Sequence, residues 1–275
     1  MTTVMRRHIP GMAGQTGSMA RQLAGAAALA GLLGGLAMIV VMILVMGAAG
    51  MGYATPLNVG MASFAFTIAP PASMLPTLMP LMGIHLPASV ASQVMAAAGS
   101  GHFSSALMSQ LQAMLTGMRL PAATVTQLGA LMSGHATNAQ VAGLMSMLSP
   151  SSRAMVMSAM PVSAAHVLVG AVLHFAYAGF LGVLFAMIIA AAMMMRVPLM
   201  GTAGGVVTAG VAGGALVYAV MRWGLLPSAN PLMAFVPQTG FFLAHLLFGL
   251  VVGVVLAVTF RRCDMIGASA RAGQV

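Results

Sequence analysis

The sequence predicts an all-α integral membrane protein: a four-helix bundle of two tandem, parallel-related hairpins, with an inserted extracytoplasmic helical region. Three observations predict it. The chain is 60% hydrophobic and 4% charged, with a mean hydropathy of +1.03, whereas soluble domains carry about 25% charged residues. Four apolar stretches are each long enough to cross a bilayer core of about 30 Å as a helix. Two of them carry matching small-residue tracks, His174-x3-Ala178-x3-Gly182-x3-Ala186 and His245-x3-Gly249-x3-Gly253-x3-Ala257, which stand 71 positions apart (245 − 174). A four-residue step keeps side chains on one helix face, so each track is a surface another backbone can approach closely.

Residues 1–20 form a polar, cytoplasmic N-terminal segment with Arg6 and Arg7, and transmembrane helix 1 is expected over 21–48. Its apolar core, Leu23–Met46, has 24 residues, longer than a signal-peptide core of about 7–15. Gly47-Ala48-Ala49 is a poor cleavage site, so the helix is read as uncleaved. Residues 49–163 form the extracytoplasmic Met-rich region of short helices. Its first part carries Pro56, Pro70, Pro71, Pro76, Pro80 and Pro87, a density that forbids one continuous helix. An apolar but broken segment belongs at the outer interface or over the bundle, not across the bilayer.

From 86 to 160, apolar positions recur at helical spacing: 107, 111, 114, 115 and 118; 125, 128, 131 and 132; 141, 144, 145 and 148. Breaks are expected at Gly99-Ser100-Gly101, Gly117, Pro121, Ser133-Gly134 and Ser149-Pro150-Ser151. Leu86-Pro87-Ala88 with Gln93 and Ser100-Gly101-His102 also resembles Leu120-Pro121-Ala122 with Gln127 and Ser133-Gly134-His135, a period of 33–34 residues. Transmembrane helix 2 follows over 164–195, a tight Arg196-Val197-Pro198 turn, then helix 3 over 199–221 with Arg222-Trp223 at the interface. The loop Pro227–Pro237 leads to helix 4 over 238–260, and 261–275 is a cytoplasmic tail.

The ten basic residues are all arginine and the one acid is Asp264. The arginines sit beside apolar segments and not in a patch, so they signal topology and lipid contact, and nucleic acid is excluded as a partner. Arg6, Arg7, Arg21, Arg196, Arg261, Arg262 and Arg271 share one side; Arg119, Arg153 and Arg222 share the other. The positive-inside rule makes both termini cytoplasmic in a bacterial inner (plasma) membrane. The bilayer is the expected partner, with a second copy of the chain or another membrane protein as further ones. The single cysteine, Cys263, permits no disulfide framework or thiolate zinc site.

The halves match internally. Gly31-x-x-Gly34-Gly35 in the first helix pairs with Gly201-x-x-Gly204-Gly205 in the third, an offset of 170 (201 − 31). Both halves enter from the cytoplasm, so the repeat is of the parallel type. The order runs from an Arg-bearing start through a Gly-x-x-Gly-Gly first helix, a long outer loop and a His-led second helix. A basic turn, a Gly-rich third helix and a final helix ending in Arg261-Arg262 complete it. Over about residues 20–46 and 164–262 this architecture resembles the YagU-like family of bacterial inner-membrane proteins. The resemblance implies an inner-membrane location and supplies no reaction; the Met-rich outer region departs from it.

His174 and His245 lead the candidate ligand positions, with His166 two turns outward from His174. Each imidazole either hydrogen-bonds a neighbouring helix, helps bind a transition metal or haem, or responds to protons in a gate. Fourteen of the 30 methionines lie between 61 and 160. Thioethers suit Cu(I), and Met79-x-x-Met82-x-x-His85 is the tightest grouping, ahead of Met145-x-Met147 and Met155-x-Met157. The competing reading is flexible packing. Gly31, Gly35, Gly201, Gly205, Gly182, Gly249 and Gly253 are expected at helix crossings. With one acid, paired carboxylates, Asp-supported triads and carboxylate proton relays cannot be built. No enzyme and no resident cofactor are expected. The function classes left are a structural or accessory membrane protein, a small channel or carrier with a His-lined seam between helices 2 and 4, and a Cu, Ag or haem protein on the outer face.

Overall fold

The computed structural model describes residues 12–63, 72–226, 231–263 and 265–266. The expectations placed on Arg6, Arg7, Pro70, Pro71, Asp264, Arg271 and residues 227–230 lie outside them. The fold is all-helical, about 80% helix, with no strand among the described residues. The helices are α1 (Met12–Ala48), α2 (Leu75–Leu81), α3 (Ala88–Ser100), α4 (Ser105–Gly117), α5 (Ala122–Met132), α6 (Asn138–Ser146), α7 (Pro150–Ala159), α8 (Ala164–Met194), α9 (Ala203–Ala219) and α10 (Gln238–Arg262). A wider-wound turn, Val220–Leu225, prolongs α9. Four helices are long and apolar enough to cross a membrane: Ala20–Ala48, Ala164–Met194, Ala203–Leu225 and Gln238–Arg262.

The third of these starts later than expected. Arg196 (φ 55°) and Leu199 (φ 71°) both adopt the left-handed conformation, closing α8 and turning the chain. Thr202 then caps α9, its hydroxyl oxygen accepting from the Gly205 N–H at 3.0 Å. Gly201 therefore lies in the turn and not in a helix.

The chain divides into two compact units. One takes the chain up to Met38, Phe175–Val217 and the chain from Ala244 on. Its core joins Ala27, Ala30, Ala178, Val206, Val252 and Leu256 with Phe185, Phe248 and Phe260. On α1 the small residues face inward, while Leu29, Leu33 and Leu36 lie outside. On α10, Leu250, Val254 and Val258 do the same. Small inside and large outside is the pattern of helices packed in lipid.

The other unit is Ile39–His174 with Tyr218–Leu243; the ends of the long helices within it again expose large residues such as Val40, Leu44, Leu168 and Val172, whereas its short helices differ. Its short helices bury Leu107, Leu111, Leu115, Leu128, Leu131, Val141, Leu144 and Leu148, the positions set by helical periodicity. Among the described residues of 72–160, the exposed large apolar side chains are Met95, Met118, Met147 and Met155. Ser, Thr, Gln, Ala and Gly cover most of the remainder.

Caps follow the turn chemistry. Ser104 and Ser149 cap α4 and α7 through their hydroxyls, and Thr137 with Gln140 forms a capping box on α6. Pro87 and Pro121 precede α3 and α5 with nearly the same backbone angles. Both helices close on a left-handed glycine, Gly101 or Gly134, after which His102 N–H and His135 N–H donate to Ala97 and Ala130. Arg153 lies 5.0 Å from the Phe235 ring centroid, a cation–π contact that ties α7 to the 231–235 turn.

Arg119 ends α4 at φ 57°, a conformation that costs a residue with a Cβ about 1–2 kcal/mol. Arg119→Gly is expected to stabilise the folded protein by about 1 kcal/mol, and Arg119→Ala is expected not to. Thermal unfolding of the detergent-solubilised protein, followed by circular dichroism, measures both.

Candidate functional site

The closest packing in the first unit is backbone against backbone. A Cβ on Gly31 would collide with the Ala178 carbonyl oxygen and stand 2.9 Å from the Gly179 Cα. One on Gly182 would collide with the Ala27 carbonyl oxygen and stand 2.8 Å from the Gly31 Cα. So α1 and α8 cross at glycines and alanines, the smallest residues available. The α9–α10 crossing is built alike. A Cβ on Gly210 would collide with the Gly249 carbonyl oxygen and lie 2.7 Å from the Gly253 Cα, and one on Gly214 would collide with the His245 carbonyl oxygen. Gly253 meets Val207 in the same way, its Cβ position 2.9 Å from the Val207 Cα. Gly35 is buried beside Gly34, whose Cβ would press on the Phe248 ring at 2.7 Å.

Of the seven predicted crossing residues, Gly31, Gly182, Gly249 and Gly253 stand at crossings, Gly35 is buried beside Gly34, and two stand elsewhere. Gly201 is in the turn, and a Cβ on Gly205 would strike the Leu199 carbonyl within that same turn. The residues missed were Gly210, Gly213 and Gly214. Their signal was present: Gly210-x-x-Gly213-Gly214 has the same spacing as Gly31-x-x-Gly34-Gly35, at an offset of 179 (210 − 31).

The histidines differ in setting. His174 and His245 are buried, 7% and 3% exposed, and lie in different units of the chain. They are the ionisable members of the buried polar set, which otherwise holds Thr55 and Thr124 among the described residues. His166 is exposed, its backbone N–H donating to the Ser163 hydroxyl at 3.2 Å. Among the described residues no three of His, Cys, Asp or Glu gather as a metal-binding group.

The methionine pairs are split by helix geometry. Positions i and i+2 point to opposite sides of a helix. Accordingly Met145 and Met157 are buried at 1% and 5% exposure, whereas Met147 and Met155 face out. Met147 sulfur accepts from the Thr124 hydroxyl at 3.5 Å. The 79–82–85 grouping divides too. Met79 and His85 line one groove, while Met82 packs against the buried core of its unit. In Met82's place on the groove stands Met95 from α3, which sequence spacing did not suggest.

Comparison with protein families, with curated proteins and with solved structures finds no match to this chain.

The crossings are sensitive to a single carbon. Gly31→Ala and Gly210→Ala are each expected to destabilise the protein by about 1–3 kcal/mol, the scale of forced overpacking. Gly204→Ala, where a Cβ meets nothing within 4 Å, is expected to be harmless. The temperature at which each variant leaves the monodisperse peak in size-exclusion chromatography reads the difference.

Proposed function

We propose that this chain is a non-catalytic accessory protein of the bacterial inner membrane that displays a helical domain outside the cytoplasm. Four spans form two tandem hairpins, both termini are cytoplasmic, and residues 49–163 are extracytoplasmic. The observation that carries the reading is the contrast in what each part exposes. The long helices turn Leu, Val, Ile and Phe outward, as lipid-facing helices do, whereas helices α3–α7 turn outward small and polar residues with a few methionines. The tandem arrangement draws support from the two crossings. Gly31 meets Ala178 as Gly210 meets Gly249, offsets of 179 (210 − 31) and 71 (249 − 178). The orientation and the resemblance to YagU-like proteins rest on the arginines and helix order of the sequence.

A second reading, a small channel or carrier, is favoured by one observation: two buried imidazoles on helices otherwise apolar. Polar groups at such depth serve either helix contact or transport.

Topology and transport are separately measurable. With Cys263→Ser as background, Ser109→Cys on the exposed face of α4 is expected to react with an impermeant maleimide in intact cells. Native Cys263 is expected to react only after lysis. The reverse labelling would overturn the orientation. Proteoliposomes holding the purified protein are expected to retain a proton or potassium gradient as well as empty vesicles do. A leak abolished by His174→Ala or His245→Ala would install the channel reading instead.

A further inference from the structure

We propose that Met79, His85 and Met95 form a binding site for a soft monovalent cation, Cu(I) or Ag(I). The site goes beyond the accessory-protein reading and does not depend on it. Three successive pieces of chain build it. Met79 comes from the last turn of α2, His85 from the connection after it, and Met95 from the third turn of α3. The connection is fixed. Gly83 takes φ 77°, and Ile84 N–H then donates to the Met79 carbonyl at 2.8 Å, with the Ile84 side chain 1% exposed. This closure folds the chain back on α2, and His85 follows directly, exposed at the surface and lining the same groove as Met79. On α3, Ala91 and Met95 are one four-residue step apart and line the same groove as Met79 and His85, beside buried Val94.

The groove has room for about 190 Å³, and the remainder of its wall is apolar: Pro76, Pro80 and Leu86 among others. Its chemistry selects the ligand. Two thioethers and an imidazole are soft to borderline donors, suited to Cu(I) and not to Mg²⁺ or Ca²⁺, which demand oxygen. No side-chain carboxylate lines the groove to offset a double charge, so a monovalent ion is favoured over Cu²⁺ or Zn²⁺. Met79 is 1% exposed and Met95 57%, so one thioether is held within the wall while the other sits at the mouth.

The neighbouring helix pair supplies a comparison within the same chain. A groove on α4 and α5 is lined by Met108, Gln112, Leu115, Val125, Thr126, Gly129 and Met132, with no imidazole. In the 34-residue register that aligns Leu86-Pro87-Ala88 with Leu120-Pro121-Ala122 (120 − 86), Arg119 stands at the position of His85 and Gly129 at that of Met95. Ala113 stands at the position of Met79 (79 + 34), so none of the three donors recurs, and the second groove, which has Met108 and Met132 but no imidazole, is expected to bind no soft ion.

The test uses the full-length protein in detergent, with Cu(I) under anaerobic reducing conditions competing against bicinchoninate. One equivalent of Cu(I) is expected to leave the chelator. His85→Ala and Met95→Leu, both at exposed positions, are each expected to weaken binding about tenfold or more, equivalent to about 1.4 kcal/mol or more. Met82→Leu is expected to leave affinity within about twofold, because Met82 does not line the groove. Unchanged circular dichroism of the variants separates ligand loss from unfolding, and X-ray absorption of the loaded protein is expected to show sulfur and imidazole scatterers. Failure of the wild-type protein to take Cu(I), or equal weakening by Met82→Leu and Met95→Leu, overturns the site. Neither result bears on the topology.

Discussion

Helices surrounded by lipid gain little from burying one apolar face against another, because the tails they displace are as apolar as the partner. What remains is contact at short range, and that requires backbones to meet. The crossings at Gly31, Ala178 and Gly182 and at Gly210, Gly249 and Gly253 are this requirement made concrete. Each places a carbonyl oxygen where a Cβ would otherwise be. The rest of the first unit follows from it. If small residues must occupy the seams, large ones are displaced outward, so α1 buries Ala27 and Ala30 and exposes Leu29, Leu33 and Leu36. The phenylalanines fill what the glycines leave: Phe185 and Phe248 meet edge-on, centroids 6.2 Å apart, and each presses on a glycine of another helix.

The short helices between residues 88 and 159 distribute their residues differently. They bury leucine and valine at regular intervals and expose serine, threonine and glutamine, the pattern of amphipathic helices with one polar face. One residue type therefore carries two meanings in one sequence. Glycine is a contact surface at Gly210 and a left-handed helix stop at Gly101 and Gly134. Methionine is core filler at Met145 and the main large apolar side chain left outside at Met95, Met118, Met147 and Met155. Composition alone merges these roles; position within a helix separates them.

That separation marks how far the sequence could be read. Four apolar runs, the periodic apolar positions of 107–148 and the Gly, Ser and Pro breaks between short helices were legible, because each is local: a bilayer crossing, a 3.6-residue period, a cap. The start of α9 was not. It depends on Leu199 adopting φ 71°, which a leucine does not announce. The Gly-x-x-Gly-Gly spacing occurs twice within fourteen residues, at 201–205 and 210–214, and spacing alone does not tell that Gly210 and Gly214 are the ones that meet α10. The soft-ligand grouping was half legible for a related reason. Met79 and His85 come together through a local turn, whereas Met95 arrives on a different helix and Met82, in the turn just after α2, packs against the core and not on the groove.

The scarcity of acid binds these parts together. A chain with ten arginines and one aspartate cannot neutralise a divalent ion with its own carboxylates, nor pass protons along a carboxylate relay. A groove lined by thioethers and an imidazole, with no carboxylate, is chemically suited to a soft monovalent cation. His174 and His245 are buried, whereas His85, which lines the groove with Met79 and Met95, is exposed. Burial, more than residue type, separates the settings of the histidines in this chain.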